Sequence, residues 1–161
     1  MPLLSDETAI MLGRLLLALV VGAAVGLERE SAKKPAGLRT LAAVSFGSCL
    51  FALLVEELIM QWNPLTNIRL DPIRLVAGLI GGIGFLGAGV IIESRGSVEG
   101  VTTAATIWVT GALGLASGIG YYRLAVSGAV GALLILRGLG WLEHLLLHRD
   151  GDDDVGDDEA P

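Results

Sequence analysis

Apolar residues fall into five long stretches separated by short polar breaks. The first runs from about Ile10 to Leu27, with Arg14 near its outer end. The second, Thr40 to Val55, has 16 residues without a charge, the third, Leu75 to Ile92, has 18, and the fourth, Val101 to Tyr122, has 22. The fifth runs from Leu124 to Leu142 and is interrupted by Arg137. A membrane helix needs about 20 predominantly apolar residues, within a range of roughly 17 to 25. The third and fourth stretches reach that length unaided. The first and fifth reach it if their arginines snorkel to an interface. The second does so by borrowing Arg39 or Glu56. The pattern predicts an all-α, polytopic membrane protein, a five-transmembrane-helix bundle with approximate spans 10–27, 40–55, 73–92, 101–122 and 124–142, within a membrane domain of residues 1–149.

Helix punctuation agrees with this division. Ser5-Asp6-Glu7 can cap the first helix. Lys34-Pro35-Ala36-Gly37 reads as a turn, and Trp62-Asn63-Pro64 breaks the chain after the second helix. Asp71 followed by Pro72 is an N-cap with proline at the first helical position. Gly118-Ile119-Gly120 ends the fourth helix before Tyr121 and Tyr122, residues suited to a headgroup boundary. Asp6 and Glu7 precede the first stretch and its positive charges follow it, the reverse of a signal peptide, so it reads as a retained helix.

Composition sharpens the membrane reading. The AVILMFWYC set makes up 53% of 161 residues and charged residues only 17%, with a mean hydropathy of +0.69. The net charge of −6 is concentrated in the last twelve residues, Asp150 to Pro161, which hold seven acids and no Lys or Arg. This tail is expected to be disordered. The remaining body has 11 basic and 10 acidic residues, with no surplus to bind nucleic acid. An odd-numbered bundle puts its termini on opposite sides. Seven Lys and Arg fall on the side of the first loop and four on the other. That bias puts the N-terminus outside and the C-terminus in the cytoplasm. A single cysteine, Cys49, excludes an internal disulfide and is expected to pack inside a helix.

Glycine numbers 23, and three GxxxG pairs lie in apolar segments: Gly22/Gly26, Gly78/Gly82 and Gly114/Gly118. Such pairs let helix backbones approach closely in lipid. Packing within one chain is the favoured reading, and a homodimer is the alternative. The run Gly81 to Gly89 contains a literal GxGxxG, but it lacks the strand–helix context of a dinucleotide site. Its glycines read as a close helix crossing, with an unwound segment lining a polar cavity as the functional alternative.

Polar groups at the ends of the spans are the functional candidates: Glu28, Arg29, Glu30, Arg39, Thr40, Asp71, Arg74, Thr102 and Thr103. Glu28 is expected to pair with Arg39 across the first turn, with Glu30 as the fallback partner. Asp71 is accounted for as a cap. Thr103, Thr106 and Thr110 share one helical face and read as interhelical bonding or a polar path. Glu143, His144 and His148 make an incomplete metal set, and Trp141 to His148 reads better as an amphipathic extension. Neither a metal site nor a cofactor is expected. No nucleophile with a matching base, no Walker motif and no zinc signature appears, so an enzyme is not expected.

The motifs Gly26-Leu27-Glu28-Arg29-Glu30, Gly37-Leu38-Arg39-Thr40, Asp71-Pro72-Ile73-Arg74, Gly82-Ile83-Gly84-Phe85-Leu86-Gly87-Ala88-Gly89 and Gly100-Val101-Thr102-Thr103-Ala104-Ala105-Thr106-Ile107-Trp108 occur in this order. Together they resemble the MgtC/SapB family of bacterial inner-membrane proteins. The resemblance implies a role in adaptation to low magnesium and, in pathogens, survival inside macrophages. In some members it implies restraint of the F-type ATP synthase. It also implies that Gly82, Gly84, Phe85, Gly87, Gly89 and Trp108 form a helix-packing or central surface. Members often carry His where this chain has Leu41 and Gln where it has Gly78, and a basic or neutral residue where it has Glu99. Longer members append an ACT-like domain, which this chain is expected to lack. The expected function is a membrane regulatory protein acting through helix–helix contacts. The alternative is a cation or small-solute carrier or channel using Glu28, Arg39, Asp71 and the Thr103 face.

Overall fold

The computed structural model of the protein describes residues 6–62, 71–94 and 97–141. Five helices form in it: α1 (Asp6–Ser31), α2 (Leu38–Trp62), α3 (Pro72–Ala88), α4 (Val101–Ile119) and α5 (Tyr122–Leu134). A π-helical segment, Ile135–Leu139, continues α5. Between α3 and α4 lies a small antiparallel hairpin, β1 (Ile92–Ser94) with β2 (Ser97–Glu99), in the register Ile92↔Glu99. Three helices, α1, α2 and α4, and the run Tyr122–Leu139 are each long and apolar enough to cross a membrane. The fifth, α3, has 17 residues. At 1.5 Å per residue it spans about 25 Å, slightly less than a hydrocarbon core of about 30 Å.

Several boundaries differ from expectation for identifiable reasons. The third helix ends at Ala88 rather than 92, because its last turn tightens: Val90 N–H donates to the Gly87 carbonyl and Ile91 N–H to that of Ala88. The chain then returns through the hairpin to Gly100, whose φ of +89° is left-handed and which lies against the Val90 carbonyl, so only glycine fits there. The second helix runs past Val55 to Trp62, carrying Glu56 and Glu57. α4 stops at Ile119, where Gly120 adopts φ +88° and its N–H caps the helix. Asp71 caps α3 as expected, its Oδ1 accepting from Ile73 N–H at 3.0 Å. Ser5, the Glu143–His148 set and the acidic tail lie outside the described residues.

The core is the contact of α1, α2 and α4. α1 turns Ala18, Val21, Gly22, Val25, Gly26 and Arg29 inward, at three- and four-residue spacing. A Cβ on Gly22 would stand 2.6 Å from the Ser45 Cβ and 2.7 Å from the Leu41 carbonyl oxygen of α2. From α4, a Cβ on Gly114 would collide with the Ser45 backbone, and one on Gly118 would meet the Cys49 carbonyl at 2.8 Å. Ser45 is fully buried, and its hydroxyl donates to the Ala18 carbonyl at 2.7 Å. Cys49 is also fully buried. Leu41, Leu53, Ile107 and Leu113 complete this core, whereas other large apolar side chains of the three helices, among them Leu12, Leu16, Leu50 and Leu54, are exposed, as a lipid-facing surface requires.

Two of the three GxxxG pairs thus close the bundle, and the third does not. Gly78 and Gly82 have open space where a side chain would stand, as do Gly81 and Gly84. α3 remains helical through this run and buries only Ile83 and Gly87 against its neighbours. Among the described residues, neither the close crossing nor the unwound segment occurs at Gly81, Gly82 or Gly84.

Gly114→Ala should therefore lower thermal stability in detergent by about 1–3 kcal/mol, the usual cost of overpacking. Gly82→Ala should be neutral or stabilising by up to about 1 kcal/mol through helix propensity. Equal losses in the two variants would contradict this assignment of the packing.

Candidate functional site at the two ends of the bundle

Each end of the bundle carries an arginine of α1. Near its N-terminus, Arg14 Nη1 donates to Glu56 Oε2 at 2.6 Å and to the Gly118 carbonyl at 2.9 Å, and its Nε donates to the Tyr122 hydroxyl at 3.4 Å. One side chain thus ties α1 to α2, α4 and α5. Arg14–Glu56 is the only ion pair among the described residues. Sequence reasoning placed Arg14 as a snorkelling charge and passed over its partner. The available signal was that Arg14, near the outer end of the first stretch, and Glu56, just past the second, fall at the same end of two stretches expected to run antiparallel.

At the other end, Arg29 belongs to the last turn of α1 and is only 6% exposed. Its Nη2 donates to Thr103 Oγ1 at 3.0 Å, in the first turn of α4. Its Nε is buried without a partner, and no carboxylate of the described residues lies within ion-pair distance. Arg29 forms part of the wall of a cleft of about 890 Å³, which Lys34, Glu99, Thr102, Thr103 and the π-helical residues Ile135 and Leu139 also line. Placing Arg29 inward is a matter of period: Gly22, Gly26 and Arg29 recur at i, i+4 and i+7 on the face that meets α2 and α4.

The other sequence candidates separate. The expected Glu28–Arg39 pair does not form. Helical rotation aims Glu30 at α2 instead, where its Oε2 accepts from Leu38 N–H at 2.9 Å and caps the helix. Gly37 permits this approach, since a Cβ there would lie 2.9 Å from the same carboxylate oxygen. Glu28 keeps one buried carboxylate oxygen without a partner. Arg39 and Thr40 are exposed. Asp71 and Arg74 are exposed at the start of α3, where Pro72 shares an apolar cavity of about 290 Å³ with Glu56, so they belong to the Arg14 end. Glu28, Arg39, Asp71 and Thr103 are therefore not gathered into one path. In the threonine stripe only Thr103 bonds across helices. Thr106 donates to the Thr102 carbonyl of its own helix, and the buried Thr110 hydroxyl has no partner. A Cβ on Gly87 would stand 3.6 Å from the Ala104 Cβ, whereas Phe85 is 80% exposed and Trp108 is half-exposed. Gly89 caps α3. Among the described residues no group of three His, Cys, Asp or Glu could hold a metal.

Helices of spanning length, a lipid-facing apolar surface and charges confined to the two ends define a multi-pass helical membrane protein. The chain belongs to the MgtC family, whose model matches residues 15–145. It is 38% identical over 143 residues to the Escherichia coli K12 protein named "Putative magnesium transporter YhiD", covering 89% of this chain and 66% of that one. It is 37% identical over 127 residues to SapB of Bacillus subtilis, covering 78% and 55% respectively. It is 37% identical over 116 residues to MgtC of Salmonella typhimurium, covering 72% and 46%. The chain thus spans roughly half to two thirds of the length of these relatives. No solved structure matches it.

The geometry at the α1–α2 turn predicts that Glu30→Ala destabilises by about 0.5–1 kcal/mol, as the loss of a helix cap does. Glu28→Ala and Arg39→Ala, combined, should add within about 0.5 kcal/mol, as for uncoupled sites. Thermal unfolding of the single and double variants in detergent measures both, and a strong Glu28–Arg39 coupling would overturn the arrangement.

Proposed function

We propose that this protein is a small regulatory protein of the inner membrane, acting in adaptation to low magnesium or stress through helix–helix contact with a membrane partner. The observation that carries this reading is the unused face of α3. Gly78, Gly81, Gly82 and Gly84 leave open space along a helix whose Phe85 and Ile73 are about four-fifths exposed. In lipid, glycine in a helix costs about 1 kcal/mol relative to alanine and yields close packing only where another helix lies against it. The two other GxxxG pairs find that helix inside the chain; the Gly78/Gly82 pair of α3 finds none among the described residues. In this reading the N-terminus and the Arg14 end lie in the periplasm, and the Arg29 end lies in the cytoplasm. The family resemblance makes the membrane sector of the F-type ATP synthase the first partner to examine. A homodimer through α3 is the competing occupant.

A carrier is the second reading. It draws on the buried, unpartnered Glu28 oxygen and on the name of the Escherichia coli relative. The separation of Asp71 from Glu28 to opposite ends of the bundle counts against a single polar path.

Affinity capture from native membranes is expected to recover a specific membrane protein with the wild-type chain. Gly82→Leu should abolish that recovery while leaving thermal stability within about 0.5 kcal/mol, since it fills space that is open in the isolated bundle. Liposomes containing the purified protein should show no more magnesium flux than empty ones. Protein-dependent flux without any captured partner would replace the regulatory reading with the carrier.

A further inference from the structure

Burying a guanidinium without a counter-ion is unfavourable, and arginine cannot shed its proton to escape the cost. Arg29 is 94% buried, yet among the described residues its only hydrogen-bond partner is the neutral Thr103 hydroxyl, and no carboxylate reaches it. The contrast with Arg14, which holds both a carboxylate and a carbonyl, lies within one helix. Something outside the described chain must supply the missing negative charge.

The surroundings of Arg29 specify what that is. α4 begins beside it at Gly100, which makes no side-chain cap, and the first intrahelical donor is Ala104 N–H on the Gly100 carbonyl. Val101, Thr102 and Thr103, whose amides have no acceptor within the helix, line the cleft at the positive end of a 19-residue helix dipole. Helix starts of this kind bind phosphate, and a guanidinium fork matches phosphate oxygens. Lys34 lines the same cleft, and among the described residues Glu99 is its only acid. Two bases against one acid leave a formal charge of +1 on the walls. A phosphodiester, with one negative charge, balances it; a free phosphate dianion would not. The remaining wall is apolar and faces lipid: Val101, Ile135 and Leu139 line the cleft and are more than half exposed. Ile135 and Leu139 bound the π-helical segment, an irregularity that membrane helices tolerate where it lines a cavity.

We propose that the Arg29 cleft is a binding site for the phosphodiester headgroup of a glycerophospholipid, with Arg29, Thr102, Thr103 and the start of α4 around the phosphate, Lys34 at the rim and an acyl chain along Ile135 and Leu139. The site is separate from the α3 face and does not depend on a protein partner.

The test uses the full chain, purified and delipidated in a neutral, phosphate-free detergent. Native mass spectrometry and thermal unfolding are read against added phosphatidylglycerol, diacylglycerol with the same acyl chains, and inorganic phosphate. The wild-type chain is expected to retain one phosphatidylglycerol and gain thermal stability from it. Diacylglycerol and millimolar phosphate should give neither effect. Arg29→Gln should weaken phosphatidylglycerol retention at least tenfold and, without lipid, unfold no earlier than wild type, because it removes an uncompensated buried charge. Lys34→Gln, at an exposed position outside the core, should weaken retention several-fold and serves as the test should Arg29→Gln fail to fold. Equal retention of diacylglycerol, or undiminished binding by the folded variants, would overturn the site. Stabilisation by inorganic phosphate that displaces the lipid would overturn the lipid assignment and leave a soluble phosphate as the occupant.

Discussion

Two helix backbones come into direct contact only where side chains are absent from the line between them, and this bundle meets that condition twice at Ser45. Gly22 of α1 lies against its Cβ, Gly114 of α4 lies against its backbone, and its hydroxyl satisfies the Ala18 carbonyl. Lipid offers no hydrophobic drive for helix association, so close van der Waals contact must supply it. With α2 held between two glycine faces, the axial register of α1 and α4 is set. That register brings Arg14 to Glu56 and the Gly118 carbonyl at one end and Arg29 to Thr103 at the other.

The two arginines then have different physical roles although they occupy one helix. Arg14 is an electrostatic tie: its charge is matched by Glu56, and its remaining donors reach α4 and α5. Such a group holds helix ends together and has little capacity left for a ligand. Arg29 has a hydroxyl and an open cleft instead. In surroundings of low polarity an unmatched charge amplifies any interaction that satisfies it. The cleft combines that charge with an uncapped helix start and an apolar wall, so it is amphiphilic in the way a membrane boundary is.

α3 stands apart from this core. It is the shortest of the four helices that precede α5, its Gly78, Gly81, Gly82 and Gly84 face open space, and the hairpin that follows it returns the chain to α4. Membership of the MgtC family accounts for the bundle and for its motifs, which lie within the matched residues 15–145. Within the motifs, neighbouring residues divide between tasks. Arg29 closes the core, Glu30 caps α2, and Arg39 is exposed.

Much of this architecture was legible in the residue pattern. Apolar length, Asp71-Pro72, the Lys34–Gly37 turn and Gly120 each act through local physics: burial per helix, capping and backbone conformation. They foretold the five helices and most of their junctions. The inward face of α1 was also readable from its period, through Gly22, Gly26 and Arg29. The tertiary structure alone decided which residue meets which. Period assigns a side chain to a face but does not say what stands opposite. For that reason Glu30 rather than Glu28 reached α2, Glu56 rather than an interface satisfied Arg14, and Gly22 and Gly114 closed on backbone while the equally spaced Gly78 and Gly82 stayed open. A glycine's or a charge's role depends on its neighbour's distance, and that distance exists only once helices separated by tens of residues have docked.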